Sequence, residues 1–314
     1  MSAQQRILVV VDPTASVHPA IERAAWFARA MPSVLELFIC DYASQLANSR
    51  GSNAPATLEA RAALLARHKA RLEALAGPLA AAGLKVSVDS RWDYPLHDGI
   101  VRKALEFKAD LVVKDTHFHS VLKRSIFSNT DWSLIRNCPS PLLLVKPRPP
   151  GQKPCLVAAV DPLHERDKPA GLDHKILTIA SDLAKALHGD VHVFHAFDIA
   201  AALAVSSDSM TKPIAIPERE FTDAMRVEHT DAVNKLCAQH EIPTERIHVH
   251  QGGTRELLMT LTDQLRADLV IMGAVSRSGL KGLFLGNTAE DVLDRLHCDL
   301  LIVKPDGFKA ALPS

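Results

Sequence analysis

Cysteine is scarce and scattered. The chain has five, Cys40, Cys138, Cys155, Cys237 and Cys298, and none forms a C-x-x-C pair. An odd, dispersed set fits a reducing cytoplasm, with thiols serving as small buried hydrophobes. Neither sign of charge is in excess: Lys+Arg and Asp+Glu are both 36. Composition therefore gives no reason to expect nucleic acid or an anionic membrane as partner. No apolar run approaches the about 18 residues of a membrane span. The opening MSAQQRILVVVDP lacks a basic region leading into a long apolar one, so it reads as an immediate strand rather than a signal peptide.

What the sequence does have is an internal copy of itself. Ile7–Pro13 (ILVVVDP) resembles Leu156–Pro162 (LVAAVDP), and Ala109–Lys114 (ADLVVK) resembles Ala267–Met272 (ADLVIM). Residues 267–305 slide onto 109–147 without a gap, and more than a third of the positions are identical. Agreement in order, spacing and residue type indicates duplication. Between the copies, Pro147–Pro154 holds four prolines in eight residues, which favours a short, stiff connector. The expected domains are 1–147 and 155–314, joined by a linker at 148–154, with the halves packed as an intramolecular pseudo-dimer.

Within each half, short Val/Ile/Leu-rich runs alternate with longer helical patterns. Strands are expected at 6–11, 34–40, 85–89, 110–114 and 142–146, and again at 155–160, 190–196, 246–250, 268–273 and 299–304. Continuous apolar runs of this length suit strands covered on both faces of a parallel sheet. The stretch 57–82, with Leu58, Leu65, Leu72 and Leu79 every seven residues, reads as a helix with a core-facing stripe. The expected fold is α/β: two tandem, doubly wound, five-stranded parallel-sheet domains.

Ligands of such sheets sit beyond the strands' carboxyl ends, where strand order reverses. With strand 1 central, that point lies between strands 1 and 4, facing Asp161 and the segment Met272–Leu293. That segment begins with Gly273, which lets a ligand or neighbouring backbone approach closely. It then reaches Gly286-Asn287-Thr288 ahead of a helical run from Ala289. A helix starting there would aim free N–H groups and its positive dipole end at a phosphate, with Arg277 and Lys281 nearby. The segment is neither a P-loop nor a dinucleotide fingerprint. It equally fits a plain strand–loop–helix connection whose first-turn acids, Glu290 and Asp291, already complement the dipole.

Gly273-x2-Ser276-x9-Gly286-Asn287 resembles the G-x2-G-x9-G-S/T pattern of the universal stress protein family, with serine for the middle glycine and asparagine for the last hydroxyl residue. The chain is most similar to its tandem, two-domain type. That resemblance implies an adenine-nucleotide alpha hydrolase-like fold and a role in stress resistance. It further implies ATP or another adenine nucleotide as ligand of the second half. Asp161 would meet the ribose, and backbone near Val193 and Phe194 would line the base pocket. Gly273, Ser276, Gly286, Asn287 and Thr288 would hold the phosphates, and Met272 would also be among the nucleotide-binding residues. In the first half Gly273 aligns with Asp115, Ser276 with Phe118 and Gly286 with Ser128. Only Asn129-Thr130 persists, which marks that pair as the shared structural cap, and no nucleotide triphosphate is expected there. A degenerate interaction scaffold and a binder of an amphipathic nucleotide-linked metabolite, walled by 199–210, are the alternatives.

Asp115-Thr-His117-Phe-His119 offers two imidazoles and a carboxylate in a loop, a possible Zn site. His192, His195, His248 and His250 read as satisfied residues near the sheet's end. No Ser-His-Asp arrangement, Mg²⁺-holding carboxylate cluster or His-x-Gly-His signature is found, so the expected role is binding, with at most slow ATP hydrolysis.

Overall fold

The strand β1 (Gln5–Val10) ends in the buried run Ile7, Leu8, Val9 and Val10, at most 5% exposed. A strand so uniformly apolar has to be covered on both faces, and helices supply the cover. The structure is a computed structural model that describes residues 4–43, 46, 55–119, 124–126, 128–163, 171–198, 218–274, 295–310 and 312. It divides into two compact units, Met1–Pro149 with Gly307–Ser314, and Pro150–Asp306.

In unit 1 the elements after β1 are α1 (Pro19–Ala30), β2 (Ser33–Asp41), α2 (Pro55–Ala81), β3 (Lys85–Trp92), α3 (Leu96–Phe107), β4 (Leu111–Asp115), a hairpin of β5 (His117–His119) and β6 (Arg124–Ile126), α4 (Asn129–Asn137) and β7 (Leu142–Val145). All sheet pairings are parallel, in the order β3-β2-β1-β4-β7. Unit 2 runs β8 (Cys155–Ala159), α5 (Leu172–Leu187), β9 (Asp190–Phe197), α6 (Glu218–Ala238), β10 (Ile247–Gln251), α7 (Thr254–Leu265), β11 (Leu269–Gly273) and β12 (Asp299–Val303). Its order is β10-β9-β8-β11-β12, again all parallel. In both units the first strand lies between the second and the fourth, so the strand order reverses at the place expected from the sequence.

The duplication extends to backbone detail. α3 and α7 end on Lys108 and Arg266, both left-handed at φ 51 and φ 50. The next N–H, of Ala109 and Ala267, reaches back to the carbonyl oxygens of Ala104 and Thr262 at 2.8 and 2.9 Å, closing the helix end without a glycine. The following aspartates tie the fourth strand to the first: Asp110 accepts from the Arg6 N–H at 2.8 Å, and Asp268 from the Cys155 N–H at 2.9 Å. The repeated Ala-Asp-Leu-Val is thus a structural joint. The heptad stripe of α2 is only partly core: Leu72 is fully buried, whereas Leu58, near the helix start, is 50% exposed. The segment read as a loop around His117 is instead the short antiparallel hairpin β5–β6, with His117 opposite Ile126 and His119 opposite Arg124.

Candidate functional site

Unit 2 has a cavity of about 220 Å³ beyond the carboxyl ends of β8 and β11. Its wall includes Asp161, Leu172, Asp173, Phe194, Met272 and Gly273. Asp161 follows β8 and is 43% exposed. Its N–H donates to Asp173 Oδ1 at 3.2 Å, from the first turn of α5. Behind it stands His195, 1% exposed. His195 Nδ1 is 2.9 Å from the Val160 carbonyl oxygen and 3.8 Å from Asp161 Oδ1. The carbonyl can only accept, so His195 Nδ1 donates to it, and His195 Nε2 is 2.7 Å from His229 Nδ1. His195 therefore pins the carbonyl that follows β8, beside the half-exposed Asp161.

Gly273 makes room for a side chain. A Cβ there would lie 2.6 Å from Cδ2 of Leu172, the buried first residue of α5. The glycine thus lets the helix after β8 close over the end of β11, and a neighbouring side chain, not backbone, uses the space. Phe194 lines the cavity, while Val193, its neighbour along β9, is fully buried and not part of the wall. Ser276, Gly286, Asn287 and Thr288 lie outside the described residues, as do Arg277, Lys281 and 199–210. Leu172, Asp173 and Thr254 also line the cavity, and sequence reasoning does not single them out. The only local signal is Gly252-Gly253-Thr254 directly after β10, a glycine pair at a strand's carboxyl end.

Unit 1 has a cavity of about 210 Å³ at the corresponding place, lined among others by Asp12, Asp41, Lys114, Asp115 and Ser128. Asp12 Oδ1 accepts from both the N–H and the hydroxyl of Thr14, at 2.7 and 2.6 Å. Asp115 Oδ1 accepts from the N–H of Ala20 in the first turn of α1, at 2.5 Å. Burial raises the Asp115 carboxyl to about 6, against that hydrogen bond, which lowers it. Lys114 Nζ is 2.7 Å from Oδ1 of Asp131, which is wholly buried, and donates to the Asp115 carbonyl oxygen at 2.9 Å. Asp131 is the third residue of α4. Its Oδ2 accepts from the Ser128 N–H at 2.7 Å, and its own N–H donates to Ser128 Oγ at 3.2 Å. The residue that caps α4 is thus Ser128, the partner of Gly286; the Asn129-Thr130 pair expected to cap lies within the first turn, because the Ser128 hydroxyl and Asp131 form a reciprocal capping box.

His117 and His119 lie on β5, while the Asp115 carboxylate is engaged by α1. Among the described residues no three His, Cys, Asp or Glu side chains gather as a group able to hold a metal ion. On β9 and β10, His192 Nδ1 is 3.0 Å from His248 Nε2, with ring centroids 5.3 Å apart. Burial, chiefly, lowers both below the usual histidine range; Arg246 adds to this at His192, and His192 and His250 add to it at His248.

The universal stress protein family model matches this chain twice, over residues 4–146 and 170–304. The chain belongs to the universal stress protein family. Universal stress protein E of Salmonella typhi is 30% identical over 315 residues, covering 98% of this chain and 97% of its own. Universal stress protein E of Escherichia coli strain K12 is 29% identical, covering 98% and 96%. Among solved structures, a functionally unknown protein of Pseudomonas aeruginosa PAO1 has a TM-score of 0.74 at 27% identity, over 97% of this chain and 94% of that one. A universal stress protein of Archaeoglobus fulgidus shares the fold, with a TM-score of 0.65 at 14% identity, over 95% and 98%. This is a stress-response family, and both units of the chain have its α/β architecture. No helix among the described residues is long and apolar enough to cross a membrane.

Proposed function

We propose that this universal stress protein works in the cytoplasm as a ligand-controlled element of stress resistance. Unit 2 holds ATP, another adenine nucleotide or a related nucleotide-containing molecule, and unit 1, within domain 1–147, carries a degenerate site. The observation that supports this most is the cavity at the strand-order reversal of unit 2. It has a half-exposed carboxylate on one wall, Asp161, and the Gly273 strand end, covered by Leu172, on another. A carboxylate there can accept two hydroxyl hydrogen bonds from a ribose, and Phe194 offers an apolar contact to a base. Phosphates would lie toward Gly273, Ser276, Gly286, Asn287 and Thr288. Binding biases conformation or partner choice, and turnover is not part of the role.

Isothermal titration with ATP, ADP and AMP tests the reading. Asp161→Ala should weaken binding by about tenfold or more, the scale of a lost hydrogen bond to a charged group. No heat with any of the three at millimolar concentration would remove the nucleotide from the account. The second reading, an interaction scaffold in which both pockets are degenerate, draws on unit 1, where the Lys114–Asp131 ion pair and Asp115 lie at the end of β4.

A further inference from the structure

We propose that imidazole–imidazole hydrogen bonds fasten α6 to the rest of unit 2 as a latch that acid opens. The helix packs on β9 and β10 and is otherwise thinly held. Among the described residues its buried side chains are His229, Val233, Leu236 and Cys237, so one anchor in four is a histidine. His229 Nδ1 is 2.7 Å from Nε2 of His195 on β9, and the ring of Phe197 stacks on His229 at 4.5 Å. Just past the helix, His240 Nε2 is 3.1 Å from Nδ1 of His174 on α5. A third bond of the same kind, His192 to His248 at 3.0 Å, joins the two strands that carry the helix.

A bond between two imidazoles needs one N–H and one lone pair. The first added proton leaves it intact, because an imidazolium can donate to an imidazole. The second removes the last lone pair between the rings and sets two positive charges against each other. At the buried pair, turning the His195 ring away would also break its bond to the Val160 carbonyl. Asp161 Oδ1, 3.8 Å from that ring, favours the first charge on His195, so the second falls on His229, which faces His195 and Phe197.

Burial first, and then His174, holds His240 below the usual histidine range. Burial does the same at His192 and His248; Arg246 opposes and Asp190 favours a charge at His192, and His192 and His250 oppose one at His248. The folded unit therefore binds these protons less tightly than an unfolded chain does. Their contribution to stability is full above pH 6.5 and is lost as pH falls below it, through the lowered folded values. Two histidines of unit 1 face carboxylates instead, His68 with Asp41 at 2.7 Å and His97 with Asp98 at 3.4 Å, so a proton there completes an ion pair. Because His195 also holds the carbonyl beside Asp161, the latch and the cavity of unit 2 share a residue, with or without a nucleotide.

The experiment is hydrogen exchange of the full chain, read by mass spectrometry near pH 7.5 and near pH 5.5 and corrected for the intrinsic effect of pH. A proton taken up only by the released state shifts its equilibrium by up to about tenfold per pH unit, and two pairs hold α6. Exchange in α6 should therefore quicken by about tenfold or more at the lower pH, while α7, which carries no histidine, keeps its rate. An unchanged α6, or equal quickening in α7, overturns the proposal. His229→Gln keeps an N–H for His195 and cannot be protonated, so together with His240→Asn it should remove most of the acid response; a full response in that double variant also overturns it. A reading that needs no variant comes from imidazole NMR of the unmodified chain. His195 and His229 should take up protons over the same pH range in which α6 opens, and rings that stay neutral while it opens contradict the latch.

Discussion

At the end of its fourth strand, unit 1 carries an ion pair of its own, and unit 2 has a glycine with Leu172 packed over it. In unit 1 a lysine, Lys114, faces a buried carboxylate, Asp131, at the start of α4. In the gapless register the same places in unit 2 are Met272 and Ala289, and the capping Ser128 becomes Gly286. A helix N-terminus attracts an anion. Unit 1 satisfies its helix with an internal anion and balances that charge with an internal cation. Unit 2 has neither group at those two places, and its nearest acids, Glu290 and Asp291, come one and two residues later in the chain. One duplicated frame thus carries different residue types at the same three places.

The largest expected effect breaks the internal anion. Asp131→Ala leaves Lys114 buried without its partner, which should destabilise unit 1 by about 3–5 kcal/mol. Free phosphate or sulfate should restore part of that loss by taking the vacated place. Trp26, Trp92 and Trp132 all lie in unit 1, so tryptophan fluorescence during denaturant unfolding reads that unit alone. A variant as stable as the parent would show that the pair does not matter to the fold.

Gly273→Ala probes the other unit. The added Cβ meets Leu172, and displacing that side chain should cost about 1–3 kcal/mol, seen as faster hydrogen exchange at the start of α5. If exchange there is unchanged, the glycine is not kept for packing. The same clash makes Gly273 substitutions poor probes of ligand binding, and Asp161→Ala the cleaner one.

A smaller effect concerns Asp115, raised from 3.8 to about 6 by burial. The folded state holds the proton more tightly than the unfolded one. Its contribution to stability is therefore full below pH 3.8 and lost as pH rises through about 6. Asp115→Asn should stabilise unit 1 by about 1–2 kcal/mol at pH 8 and give no gain near pH 4. A tenfold change in proton affinity corresponds to about 1.4 kcal/mol, and partial exposure of the carboxyl reduces the sum. A gain of equal size at both pH values would place the cause elsewhere.

The fold is legible in the sequence because its signals are local or repeated. Apolar runs mark strands buried on both faces, and the repeated Ala-Asp-Leu-Val marks the joint between fourth and first strands. The cavity's position also follows, since strand order alone fixes the reversal point. The contents of the site are harder to read because they depend on contacts between distant residues. Leu172 reaches Gly273 across about a hundred residues, and nothing near either one announces it. Lys114 and Asp131 are partners only once β4 and α4 stand side by side. The Asn-Thr pair common to both copies suggests the cap, yet the capping hydroxyl belongs to the residue before it, where the copies differ. The hairpin of His117–His119 escapes sequence reading because three-residue strands are too short for a periodic signal.

The central claim is that the proposed nucleotide site is in unit 2 and that the site of unit 1 is degenerate. Calorimetric titration of ATP into the full chain, beside Asp161→Ala and Asp12→Ala, tests it most directly. The account predicts one equivalent of ATP per chain, weakened about tenfold or more by Asp161→Ala and untouched by Asp12→Ala. Binding that is lost with Asp12→Ala and kept with Asp161→Ala, or two equivalents per chain, would contradict it.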